Sequence, residues 1–207
     1  MTILHSCLSW LSVGLTLALL LFLDGDPKGL PRLAAFRLNL VISLAMRFAW
    51  SAGWLRTWNY LVPIGAAWRV LVIVEAVWVL TLATPWRERP NRWLFVVATA
   101  GAALDGWIAL MLMGGISAPP DMPKWIWEMR LFTSVWCATA AFAAGLLFWR
   151  YPGRSGTAHA WLLSVYYASM AVGSAQAVRV AWQVDPVFDS YVLAVQCACL
   201  VGWLRVL

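Results

Sequence analysis

The chain has 207 residues, 63% of them apolar and 12% charged, with a net charge of +6. A typical soluble domain is roughly 45–50% apolar and about 25% charged, so this balance excludes a soluble globular fold and points to a bilayer. The basic excess is not the footprint of a nucleic-acid partner, because it is gathered in loops on one side of the chain's crossings.

A bilayer-spanning helix needs about 20 mostly apolar residues. Seven such segments fall near 7–23, 33–54, 63–84, 93–115, 125–149, 158–182 and 190–206. An unpaired backbone polar group in lipid costs several kcal/mol, so each segment is expected to be helical. The alternation of a membrane β-strand is absent. The expected fold is all-α: one polytopic bundle of seven transmembrane helices over residues 1–207.

The first segment follows Met1-Thr2-Ile3-Leu4-His5-Ser6, which has no Lys or Arg, and ends in Leu23-Asp24-Gly25-Asp26-Pro27 without an Ala-x-Ala pattern. It therefore reads as a retained helix rather than a cleaved signal. The second segment carries Arg47, the third Arg69 and Glu75, and the fourth Asp105. The fifth carries Arg130, with Glu128 at its margin; the sixth carries Gln176 and Arg179, and the seventh Gln196. All ten prolines are expected in loops or first turns, leaving no span interrupted.

Lys28, Arg32, Arg37, Arg87, Arg89, Arg92, Arg150, Arg154 and Arg205 lie on the side opposite the N-terminus, whereas the N-terminal side holds Arg56 and Lys124. Positive residues stay cytoplasmic. The N-terminus is thus expected outside and the C-terminus in the cytoplasm, in a bacterial inner membrane. The chain is also rich in tryptophan, with 16 residues. Most, including Trp54, Trp68, Trp149 and Trp203, are expected at the membrane–water boundaries, where an amphipathic ring prefers to sit. Trp10, Trp78, Trp107 and Trp136 fall deeper and are expected to pack helices, with the lining of a ligand pocket as the alternative.

A weak internal repeat can be traced. Ala45-Met46-Arg47-Phe48-Ala49-Trp50 matches Ala177-Val178-Arg179-Val180-Ala181-Trp182, Leu20-Leu21-Phe22 matches Leu146-Leu147-Phe148, and Val74-Glu75-Ala76 matches Val195-Gln196-Cys197. These pairs fit a three-plus-one-plus-three plan. Small residues three or four apart, such as Ala98, Ala102 and Gly106, or Ser134, Ala138 and Ala141, are expected to bring the fourth, fifth and sixth segments close together.

The chemistry rests on ionisable residues inside spans, which cost at least about 2.5–3.5 kcal/mol at a helix centre and so face the protein interior. Arg47, Arg69, Glu75, Asp105, Arg130 and Arg179, with Gln176, are expected to converge in the outer half. Two outcomes are open: carboxylates pairing with arginines across helices while the other arginines snorkel outward, or an excess of guanidinium groups gripping a small anionic or zwitterionic ligand. The first suits an accessory subunit that binds other membrane proteins or itself; the second suits a binding or transport protein whose partners are that ligand and membrane lipids.

Catalytic and cofactor signatures are lacking, so no enzyme, metal or cofactor is expected. Cys7, Cys137, Cys197 and Cys199 have no metal spacing, and a Cys7–Cys197 disulfide is open. His5 and His159 fall at opposite faces and cannot share a metal. A retinal Schiff base needs a lysine within a span, and Lys28 and Lys124 both lie in loops. No Gly-rich phosphate loop, Gly-x-Ser-x-Gly elbow or His-Glu-x-x-His helix occurs.

Overall fold

The structure, a computed structural model, describes residues 3–25, 33–82, 92, 96–98, 124–149, 154–179 and 186–207. Six helices dominate them: α1 (Ile3–Gly25), α2 (Ala34–Ser51), α3 (Leu55–Leu82), α4 (Lys124–Leu147), α5 (Arg154–Arg179) and α6 (Pro186–Val206). No strand occurs among the described residues. Helices α1, α3, α4 and α6 are each long and apolar enough to cross a membrane, as an integral membrane protein requires. The segment expected at 93–115 lies outside the described residues apart from 96–98.

The boundary between α2 and α3 falls where local chemistry places it. Trp54 N–H donates to the Ala49 carbonyl at 2.8 Å, and Gly53 between them has φ 72°. This is the six-to-one bond of a helix C-terminal motif that needs a left-handed residue after the cap. Trp54 also packs edge-on against Phe48, with ring centroids 5.6 Å apart. The chain turns back within three residues, and α3 starts at Leu55 rather than near residue 63. Pro63 is therefore inside a helix, contrary to the expectation that no span holds a proline. Its ring leaves the Asn59 carbonyl without its normal helical donor, which transmembrane helices tolerate when neighbours resupply the bond.

Helix directions follow from cross-contacts. His5 meets Asp189 and Cys197 meets the Leu8 carbonyl, so α1 and α6 run parallel. Arg69 meets Ser134, while Met46, Ala49, Val62 and Ile126 share one buried cluster; α3 and α4 therefore start at the same end. We call that end, which also holds the start of α1, the amino end, and the other, which holds Leu207, the carboxyl end. Among the described residues the six helices pack in chain order, with α6 returning to α1 and the α1–α2 junction the slightest of the six.

The expected closeness of small-residue helices holds for α4 and α5, the most extensive pair. Ser164 Oγ donates to the Ala138 carbonyl at 3.0 Å, and a Cβ on Gly145 would lie 2.9 Å from Trp161 Cε2. Because an aromatic ring wedged between helices cannot yield cheaply, Gly145→Ala should cost about 1–3 kcal/mol. It would be read as a lowered thermal midpoint in detergent.

The tryptophans divide differently from expectation. Trp203, assigned to the boundary, is fully buried, while Trp10 and Trp78, assigned to packing, are 75% and 53% exposed. Depth alone does not decide burial; the helix face does. Trp203 follows Cys199 and Leu200 on the inward face of α6, where its ring meets Phe36 at 4.8 Å and Tyr166 at 5.5 Å.

Candidate functional site

Three arginines from α2, α3 and α4 turn into the bundle. The Arg47 guanidinium donates through Nη1 to Ser12 Oγ of α1 and through Nη2 to Gln196 Oε1 of α6 at 2.7 Å. Its Cα lies four residues from the amino-end terminus of α2, close enough to snorkel outward, yet the side chain points the other way. Ser12 is nine residues into α1 and Gln196 ten into α6. At 1.5 Å per residue both sit about 14–15 Å below the amino end, near half the roughly 30 Å depth of a bilayer core.

Arg69 is 3% exposed and donates through Nη1 to Ser134 Oγ at 3.0 Å. Ser134 in turn donates to the Arg130 carbonyl at 2.7 Å and is itself fully buried. Arg130, with its Nε buried, lies in Coulombic range of Arg69, Asp189, Arg47 and Tyr166. The Tyr167 hydroxyl, also in range of Arg69, is fully buried and makes no hydrogen bond to the described residues. The site thus collects five-donor guanidinium groups and a phenolic donor, with neutral oxygens at Arg47 and Arg69 and the Asp189 carboxylate in range of Arg130. Neither Arg47 nor Arg69 is paired with a carboxylate among the described residues.

No known family, curated protein or solved structure matches this chain.

Of the residues expected to form the site, the structure brings together Arg47, Arg69 and Arg130. Asp105 and the Arg179 side chain lie outside the described residues. Gln176 is half-buried near the amino end of α5. Glu75 is elsewhere. Its two oxygens accept from the Ala35 N–H at 3.0 Å and the Phe36 N–H at 2.9 Å, at the carboxyl-end start of α2. Because α3 begins at residue 55, Glu75 stands about 30 Å from that start rather than at half depth. Its task there is physical. Leu33 precedes α2 and has no side-chain oxygen to cap the first orphan amides, so a carboxylate from α3 supplies the acceptor and the favourable negative charge. Trp68 Nε1 donates to the Ala35 carbonyl at 3.0 Å, holding the same turn.

Ser12 and Tyr167 were not singled out by sequence. Ser12 shares a buried α1 stripe with His5, Thr16, Leu19 and Leu23; polar residues recurring at helical spacing within an apolar span were the available signal. His5 and His159 do lie apart. His5 Nδ1 is 3.2 Å from Asp189 Oδ2 at the amino end, while His159 packs edge-on against Phe36 at 4.9 Å. All four cysteines are free thiols, so Cys7 and Cys197 are not bridged. Among the described residues no cluster fit for a metal occurs.

Proposed function

We propose that this protein is a seven-helix binding or transport protein of a bacterial inner membrane, with its amino end outside and an arginine-lined site for a small anionic headgroup. The observation that carries the reading is Arg69: a guanidinium 3% exposed whose described partner is the neutral hydroxyl of Ser134. Among the described residues Arg69 meets no carboxylate; a buried charge without a counter-charge is expensive, and the neighbouring guanidinium groups of Arg47 and Arg130 add to the cost. An anion bound among them offsets it, with Tyr167 as an additional donor. Asp105 and Arg179, with Gln176, complete the proposed site from the fourth and sixth crossings. The basic loops at the carboxyl end support a cytoplasmic assignment for that end.

The helix ring also favours a duplicated origin. In a three-plus-one-plus-three plan the first helix of each half adjoins the last helix of the other, as α1 adjoins α6 and α4 adjoins α3. Arg47 and Arg179 then form a matched pair, whereas Glu75, at the carboxyl end of α3, and Gln196, near half depth in α6, do not.

The test is a thermal midpoint measured on purified protein with acetate, methyl phosphate, dodecyl phosphate and, as a control, dodecyltrimethylammonium. A ligand that binds only the folded state raises the midpoint with concentration. At least one anion should do so and the cation should not. No response to any of the three anions would remove the reading.

A further inference from the structure

Resting on that reading, we infer that the site takes up its anion together with a proton, and that His5 and Asp189 hold the proton at the amino end. His5 Nδ1 of α1 lies 3.2 Å from Asp189 Oδ2 of α6. Ser12 comes seven residues after His5, and Gln196 seven after Asp189. Seven residues are close to two helical turns, so each member of the pair shares a helix face with the residue below it. Ser12 and Gln196 supply the oxygens that hold Arg47. The pair therefore stands about 10 Å above the arginine site, on the same side of the bundle. The Asp189 side chain is 38% exposed, which gives a proton access from water at the amino end.

The charge above the site then depends on His5. Helix α1 packs against α6 and α2. Their charged or titratable groups in the amino half are Asp189, Tyr191 and Cys197 from α6 and Arg47 from α2, with Cys7 on α1 itself. Helix α5, the other neighbour of α6, brings Tyr166, and Arg130 of α4 is in Coulombic range of Asp189, Arg69, Arg47 and Tyr166. Asp189 is the one acid among these groups. While the imidazole is neutral, the Asp189 carboxylate repels an arriving anion and competes with it for Arg130. A proton on the imidazole makes it a cation, which cancels that charge and leaves the arginines to the ligand. A unit charge about 10 Å away, acting through an effective dielectric of about 20, changes affinity on the order of tenfold. The coupling is reciprocal, so a bound anion in turn strengthens the hold on the proton. The arginines cannot take this part, because a guanidinium stays protonated in proteins.

The experiment titrates acetate and methanesulfonate, each singly charged throughout, into the full chain in dodecyl maltoside at pH 6 and at pH 8. At least one should bind, about fivefold more tightly at pH 6, the acid side of the ordinary histidine range. Calorimetry at pH 7 in two buffers of different ionisation enthalpy, imidazole and bis-tris, should record uptake of about half a proton per anion. His5→Gln should bind equally at both pH values, at the weaker level and without proton uptake. His5→Lys, which fixes a positive charge at the same place, should bind tightly at both. Asp189→Asn, which removes the opposing carboxylate, should bind at pH 8 at least as tightly as the native protein does at pH 6. Equal native affinity at the two pH values, a pH step that survives in His5→Gln, or weaker binding in Asp189→Asn would each overturn the inference while leaving the anion site standing. Binding of neither anion at pH 6 would also defeat it, and silence from methyl and dodecyl phosphate as well would end both readings.

Discussion

Arg69→Met should make the protein more stable and less able to bind. The substitution removes a buried charge and fills its space with an apolar chain of similar length, a change that is commonly neutral or stabilising by about 1–4 kcal/mol. Ser134 is not stranded by it, since its hydroxyl still donates to the Arg130 carbonyl. Repulsion from the neighbouring guanidinium groups also falls. Binding should suffer in proportion: truncating one partner of a buried, hydrogen-bonded charge pair costs about 2–5 kcal/mol, or roughly 30-fold and more in affinity. Thermal midpoint and anion titration on one preparation check both halves. A residue retained against stability is the signature of a functional group. If Arg69→Met were markedly destabilised, the arginine would be structural, with its charge compensated inside the fold.

Glu75→Ala should have the opposite profile. It strips the amides of Ala35 and Phe36 of their acceptor at a half-buried helix start. Two hydrogen bonds to a charged group are lost, each worth about 1.5–3 kcal/mol, so the expected cost is about 3–5 kcal/mol. Glu75→Gln keeps one carbonyl oxygen and should lose about half as much. Amide exchange at Ala35 and Phe36 should accelerate in both, because the first turn of α2 is released. Anion affinity should stay within about twofold, as the carboxylate caps a helix at the carboxyl end while Arg47 and Arg69 act near half depth. A large loss of binding without a loss of stability would place Glu75 in the site after all.

The contrast between these two residues shows what the sequence could and could not tell. Long apolar runs made the helices legible, since lipid leaves the backbone no other way to pair. Their ends were less so: the turn at Gly53 depends on one left-handed residue, and reading Pro63 as a start moved α3 by eight positions. That shift carried Glu75 from half depth to the start of α2. The inward set of Arg47, Arg69 and Arg130 was accessible, because an intramembrane arginine has few alternatives to the interior. Their partners were not. Ser12, Ser134 and Tyr167 resemble ordinary packing residues until three-dimensional neighbours assign them an oxygen to share. Trp203 and Trp10 make the same point for packing, where depth was readable and face was not.

The most direct test is an experimental density map of the protein in a lipid nanodisc, at side-chain resolution, with dodecyl phosphate present. The account predicts phosphate oxygens within hydrogen-bonding distance of Arg47 and Arg69, with Tyr167 turned towards them. A map in which the Asp105 carboxylate is forked onto Arg69, with no non-protein density beside either arginine, would contradict it.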